Sequence, residues 1–290
     1  MRAWFLLWVL LCALLFAAAA CRLLPHEEEM EHKAHPQTPP ASRAIVFEEP
    51  QTPPVATSPP AEEAVSRPEK VSLPRIAIII DDMGYHGQVG RDLLALDLNL
   101  TFSFLPGAPF TRKQEEEAWA KGRTILLHLP MQAQSRRWDP GPGALYTTYS
   151  PQRIRSVILE DLESVPHAVG CNNHMGSGFT ENRDDMHAAL AVLKEQHLFF
   201  VDSYTTARST GLDEARRMQV PTARRHVFLD NVQDVQKICR QLDTLLTLAE
   251  EKGEAIGIAH PHRATLQALR KCGQRITGRA ELVGADQLVR

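Results

Sequence analysis

Several protein classes are excluded by what this sequence lacks. There is no Cys-x-x-Cys pair, so a thiolate zinc site is not expected. No Gly-x-Ser-x-Gly elbow is present, which argues against a serine hydrolase. Asp82-Met83-Gly84-Tyr85-His86-Gly87 lacks the spacing and the lysine of a phosphate-binding loop. Aromatic residues are only 6% of the 290, and Trp138 and Tyr146, in one long loop, are the obvious candidates for a sugar platform. An excess of basic charge is also missing. Residues 22–72 carry five basic and nine acidic side chains, whereas residues 73–290 carry 26 of each. A neutral folded part without a basic stripe argues against a nucleic-acid partner.

Glycine is absent before Gly84, and nine of the 20 prolines fall between Pro36 and Pro68. The fold is therefore expected to begin near residue 73, leaving enough chain for one large domain, 73–285. Residues 22–72, with Glu27-Glu28-Glu29 and a repeated Gln-Thr-Pro-Pro, read as an extended acidic linker. Residues 1–21 read as an export signal. Arg2 precedes an unbroken apolar run from Trp4 to Ala20, and Ala18-Ala19-Ala20-Cys21 offers small residues for cleavage. The run is short of the roughly 20 residues of a spanning helix. Cys21 after small residues resembles a bacterial lipoprotein box; ordinary secretory cleavage and an uncleaved anchor are the alternatives. All three place the domain outside the cytoplasm, with a Gram-negative periplasm preferred, and limit membrane contact to the N-terminal signal or lipid anchor.

The core holds Cys171, Cys239 and Cys272, an odd number, so at least one is unpaired within a monomer. Cys239 and Cys272 could form a disulfide in an oxidising compartment, although the reading leans against it.

Short apolar runs alternate with helical patterns. Strands are expected at 75–80, 100–105, 124–129, 168–171, 198–201, 227–229 and 255–259. Helices are expected at 90–98, 111–121, 150–164, 183–196, 213–218, 232–252 and 264–271. Such β-α repetition implies a parallel sheet, open or closed into a barrel. Polar residues gather where the strands end: Asp81-Asp82, His128, Asn172-Asn173-His174, Asp202-Ser203 and His260-Pro261-His262. In α/β architectures the carboxyl ends of strands form the active site. His86, His167, His187, His197 and His226 are read as structural. Two imidazoles and one carboxylate commonly hold a divalent metal with an open position, which polarises a carbonyl and activates water. A second carboxylate can act as general base.

The blocks Ile79-Ile80-Asp81-Asp82-Met83-Gly84, His128-Leu129-Pro130-Met131, Val169–Ser177, Val201-Asp202-Ser203, Val227-Phe228-Leu229-Asp230 and Ala259-His260-Pro261-His262 together resemble the divergent polysaccharide deacetylase family. The resemblance covers about residues 73–285, and Asn172-Asn173-His174-Met175-Gly176-Ser177 is its most specific part. It implies a distorted (β/α) barrel of about seven parallel strands with a metal-dependent site at the strand carboxyl ends. By similarity Asp81 is the base and Asp82 a metal ligand. The usual His-(Ser/Thr)-x-x-His pair is missing, since Gln132 stands four residues after His128. His128 occupies the strand end as the second ligand, the third must come from elsewhere, and His174 is chosen for it. His260 corresponds to the histidine near the leaving group, with His262 as understudy and Asp202 to orient either one. Asn172, Asn173 and Ser203 are supporting or substrate-binding candidates; for Asp202, Asn172, Asn173 and Asp230 a purely structural role competes.

Two functions follow. One is a periplasmic hydrolase with one divalent metal, zinc preferred, that removes N-acetyl groups from an envelope glycan of the peptidoglycan type. The other is a non-catalytic protein on a degenerate deacetylase fold that binds glycan or a cell-wall partner. The clustered carboxylates and histidines favour the first. The altered ligand motif and scarce aromatic faces favour the second.

Overall fold

The computed structural model describes residues 72–290; the expected export signal and nearly all of the linker lie outside the described residues. The apolar runs form parallel strands β1 (Arg75–Met83), β2 (Thr101–Phe104), β3 (Ile125–Met131), β4 (Gly170–Met175), β5 (Phe199–Asp202), β6 (Thr222–Arg224), β7 (Val227–Phe228) and β8 (Glu254–Ala259). Helices α1 (Gly87–Leu94), α2 (Thr111–Ala120), α3 (Pro151–Ser164), α4 (Arg183–Glu195), α5 (Gly211–Arg217), α6 (Val235–Lys252) and α7 (Arg263–Cys272) run between them. The strand order is β6-β5-β4-β3-β2-β1-β8-β7, and β9 (Glu281–Leu282) adds to β1. This is the expected parallel β/α barrel, with β6 and β7 as the two ends of its sheet. The strands beyond the expected seven, β6 and β9, are three and two residues long, too short to leave a periodic signal.

Period-2 alternation sorts the strand residues onto two faces. Ala77 and Ile79 of β1, Leu126 of β3, Phe199 and Val201 of β5, and Ile256 and Ile258 of β8 form one inner cluster. Val283, Ala285 and Leu288 join it. The alternate residues, such as Ile76, Ile78, Ile80, Leu127 and Phe200, pack against the helices in a larger cluster. Each fully buried aliphatic or phenyl side chain contributes about 1.5–3 kcal/mol.

Local signals set most boundaries. Ser150 caps α3 by accepting from the Arg153 amide, and Pro151 occupies the first turn. Asn182 and Asp234 cap α4 and α6 in the same manner. Gly253, at φ +84°, ends α6 in the left-handed conformation that suits glycine. The first helix departs from expectation, beginning at Gly87 rather than Gly90. A Cβ at Gly87 or Gly90 would press into Phe110 or Gln114, so both glycines permit the close approach of α2, and packing overrides their low helix propensity.

Two further expectations are corrected. Cys239 and Cys272 are joined by a disulfide, with Cα atoms 5.8 Å apart, because α6 and α7 pack side by side; Cys171 is free and buried. The folded chain also runs past residue 285. The Thr222 amide donates to the Arg290 carbonyl (2.9 Å), and the Arg290 amide to the Thr222 carbonyl (3.2 Å). Among the described residues no helix is long and apolar enough to cross a membrane.

Candidate metal centre and active site

The inner face of the barrel is apolar low down and becomes polar toward the carboxyl ends of its strands. Asp81 stands two residues after Ile79, His128 two after Leu126, Ser203 two after Val201, and His260 two after Ile258. These residues therefore share the phase of the inner cluster. In the β3–β4 ladder His128 is level with Asn172 and Pro130 with His174. All of them are buried.

Asp81 and Asp82 are neighbours, and a regular strand would point them to opposite faces. The β1–β2 register slips between Ile80 and Met83, and Asp82 takes φ +52°, a strained value for a residue with a Cβ. The result is that both carboxylates reach one imidazole nitrogen. His128 Nε2 lies 3.2 Å from Asp82 Oδ1 and 3.7 Å from Asp81 Oδ2.

His174 Nδ1 approaches the same Asp82 Oδ1 at 2.9 Å and stands 3.2 Å from His128 Nε2. The tautomer of His128 follows from its other nitrogen. Nδ1 donates to Asn172 Oδ1 at 2.9 Å, which leaves Nε2 to face Asp82. Asn172 is itself fixed: its oxygen accepts from Ser103 Oγ (2.5 Å), and its Nδ2 donates to Asp81 Oδ1 (2.8 Å) and Ser203 Oγ (3.2 Å). Neither oxygen of Asp82 has a hydrogen-bond partner, although the residue is 1% exposed. Buried polar atoms are seldom left this way, since each orphan costs about 1–3 kcal/mol. An unsatisfied carboxylate meeting two imidazole nitrogens is a donor set with the composition of a catalytic divalent-metal site, and these residues fit such an ion.

Across the hollow, His260 Nδ1 donates to Asp230 Oδ1 (2.9 Å). Asp230 Oδ2 accepts from the His260 amide and from Thr265 Oγ1, both at 2.7 Å. Burial disfavours the imidazolium, but the charge of Asp230, its hydrogen bond, and then Asp82 and Asp81 outweigh that and bring His260 up to about 9. Burial also raises Asp81, only partly offset by His128 and His260. Asp82 is burdened in the same way, yet the positive charge of His174 holds it well below the usual carboxylate range.

The other expected residues lie as follows. Asp202 has the phase of Phe200, not of Val201, so it turns toward the helices. Its carboxylate accepts from the Tyr204 amide (2.8 Å), Ser209 Oγ (2.7 Å) and the Leu212 amide (3.2 Å), which ties the chain entering α5 to the end of β5. The expectation that Asp202 orients a histidine is therefore corrected: Asp230 does so for His260. Asn173 braces backbone, accepting from the Ser203 amide (2.8 Å) and donating to the Met175 carbonyl (2.7 Å). Asn172 is 0% exposed and supports His128 and Asp81 rather than touching the hollow. His262 lines a separate groove with His86, its ring centre 6.0 Å from that of His260. The hollow proper, about 30 Å³, is lined by Asp81, His128, His174, Ser203 and His260 among others.

Asp230 is the functional residue that sequence reasoning left aside. Its signal was available, since it directly follows the expected strand 227–229, as Asp81 follows 75–80 and His260 follows 255–259. The histidines read as structural include His167, paired with Glu115 and stacked on Trp119, and His187, paired with Glu214.

Residues 78–289 match the family described as divergent polysaccharide deacetylase, and the chain belongs to it. An uncharacterised protein of Haemophilus influenzae is 33% identical over 216 residues, covering 74% of this chain and 77% of that protein. The uncharacterised protein YibQ of Escherichia coli is 33% identical over 226 residues, covering 78% and 70%. An uncharacterised protein of Agrobacterium tumefaciens has a similar solved structure, with TM-score 0.72 and 23% identity over 76% of this chain and 91% of that one. A candidate polysaccharide deacetylase of Mycobacterium smegmatis shares the fold at TM-score 0.51 and 14% identity, covering 77% and 91%. Family and fold support a carbohydrate deacetylase, a class that is typically metal-dependent.

Proposed function

We propose that the protein is a metal-dependent hydrolase that removes N-acetyl groups from an envelope glycan. The observation that carries this reading is the orphaned Asp82 carboxylate at the meeting point of His128 Nε2 and His174 Nδ1, beside a second carboxylate and an Asp-backed imidazole. The donor set of two imidazoles and one carboxylate suits zinc best. When bound there, such an ion supplies a Lewis acid that polarises the acetamide carbonyl and favours hydroxide over water.

The chain's own residues do the rest. Asp81, raised by burial, is basic enough to take a proton from the attacking water through its carboxylate. Its Oδ1 is held by Asn172 Nδ2, so the carboxylate is oriented before substrate arrives. His260, kept protonated by Asp230, donates a proton to the departing amine nitrogen as the C–N bond breaks. Water adds to the carbonyl carbon, and acetate and a free amine result. The binding-only reading rested on the scarce aromatic faces and on the missing second histidine of the ligand motif, and the second of these has a structural answer. Gln132 in that place instead accepts from Thr147 through its side chain, while His174 comes in from β4.

A peptidoglycan-type substrate and a periplasmic, lipid-anchored location through Cys21 complete the proposal, on the strength of the family and the N-terminal sequence. The test is metal analysis of the purified chain together with acetate release from an N-acetylated glycan. About one divalent ion per chain and metal-dependent acetate release are expected. A chain that takes up no zinc on incubation and releases no acetate would overturn the reading.

A further inference from the structure

A cavity of about 290 Å³ lies between α3 and the loop that joins it to β3. That is near the lower end of the ~300–1,000 Å³ of small-molecule sites. None of its lining residues lines the hollow at Asp82. Tyr146 and Tyr149 wall it, with ring centres 5.4 Å apart and planes at 65°. Asp161 of α3 also lines it. This residue is 6% exposed, and its Oδ2 is buried with no hydrogen-bond partner. Burial, and then Glu160, push the Asp161 carboxyl up to about 8. Gly143, at φ +76°, lies against that carboxyl so closely that a Cβ would collide with it. A bare backbone is thus required where the loop meets the acid.

The charges around the cavity select among ligands. The Glu160 carboxylate repels an anion. Arg153 already stands over the Tyr149 ring, 5.8 Å from its centre, and 3.5 Å from Glu160, so the place of an organic cation is taken. What remains is a neutral ligand with an apolar face and hydroxyl groups. A hydroxyl both donates and accepts, as does a carboxyl that keeps its proton near neutral pH. We infer that this cavity is a saccharide subsite: it takes one neutral pyranose ring, the apolar face against Tyr146 and a ring hydroxyl hydrogen-bonded to Asp161. The choice of a sugar rests on the glycan reading above. The subsite would hold a stretch of the polymer away from the cleaved acetamide.

The test is NMR titration of the isotope-labelled full chain with methyl N-acetyl-β-D-glucosaminide, following the amides of Gly141, Gly143 and Ala144. Saturable shifts are expected, with affinity falling about tenfold in Tyr146→Ala, the loss of one stacking contact. Tyr146→Phe should bind as the unaltered chain does. Asp161→Leu keeps roughly the volume of the acid and removes its hydrogen bond, so it too should weaken binding, whereas Asp161→Asn, which still donates and accepts, should bind nearly as the unaltered chain does. Amides that stay still at saturating glycoside would overturn the subsite, as would shifts that persist equally in Tyr146→Ala and Asp161→Leu. Acetate release and metal content of the same samples separate the two ideas. Shifts in a chain that neither binds metal nor releases acetate would support the subsite and sink the deacetylase. Acetate release without shifts would do the reverse.

Discussion

Two Asp-His-His clusters stand on the same rim of the barrel, alike in composition and unlike in bonding. In one, Asp230 accepts from the His260 amide, His260 Nδ1 and Thr265 Oγ1. In the other, Asp82 accepts no hydrogen bond, while two imidazole nitrogens point at it from 2.9 and 3.2 Å. In the first cluster Asp230 and His260 form a closed relay that fixes the charge of that histidine. In the second, one carboxylate oxygen and two imidazole nitrogens converge. Residue types alone would have assigned a metal to either. The state of the hydrogen bonds separates a relay from a ligand set: Asp230 commits both its oxygens to protein donors, whereas Asp82 commits neither by hydrogen-bond geometry.

The sharpest way to break this comparison is to exchange the consequences. Asp82→Asn and His174→Ala should each lower bound metal from about one ion per chain to near none. Acetate release should fall by roughly 10³-fold or more, because the several kcal/mol supplied by a Lewis acid go with the metal. Equal metal content in Asp82→Asn would remove it from the ligand set. Asp230→Asn should behave differently. Metal content should hold, while acetate release falls by about 10²-fold, the scale of one positioned proton donor. The sign of its pH effect is fixed. Asp230 stabilises imidazolium, so its loss lowers the His260 value from about 9 and moves the alkaline limb of activity toward neutrality. The same raised value is a stability contribution, fully present below about 6.5 and lost as the pH rises through about 9. An alkaline limb that does not move would deny Asp230 its positioning role. Cys272→Ser acts on neither cluster. Opening the bridge across its 33-residue separation should cost ~2–4 kcal/mol in denaturant unfolding, with metal content per folded chain unchanged.

Much of the site was legible because barrel phase is written in the strands. Asp81, His128, Ser203 and His260 each follow an inner apolar residue by two positions, and the strand-end pattern found them. The same counting, carried one step further, separates Asp202 from Ser203: Asp202 follows Phe200 by two and shares its outward phase. What no count could supply was the slip in β1 that turns both Asp81 and Asp82 inward, since a bulge depends on the partner strand. The disulfide between Cys239 and Cys272 was named from the sequence but not favoured, for a related reason: residues 239 and 272 meet only once α6 and α7 are packed. The link from Arg290 to Thr222 joins the chain end to a three-residue strand, and nothing local in either segment announces it.

The smallest effect tests the clearest departure from the ligand motif of the wider deacetylases. Gln132 occupies the place where a second histidine is usual, so the question is whether its amide serves in the metal's shell. Its Oε1 accepts from the Thr147 amide (3.0 Å) and Thr147 Oγ1 (3.2 Å), and its backbone amide donates to the Leu145 carbonyl (2.8 Å). Its side chain is thus engaged with the β3–α3 loop, while His174 from β4 meets His128 and Asp82. Gln132→Ala should therefore leave metal content unchanged and lower stability by about 1 kcal/mol, the net value of an ordinary hydrogen bond. Metal lost from Gln132→Ala would move the ligand shell back toward β3 and make His174 a neighbour rather than a ligand. Metal retained there and lost in His174→Ala would show that the third ligand comes from the neighbouring strand.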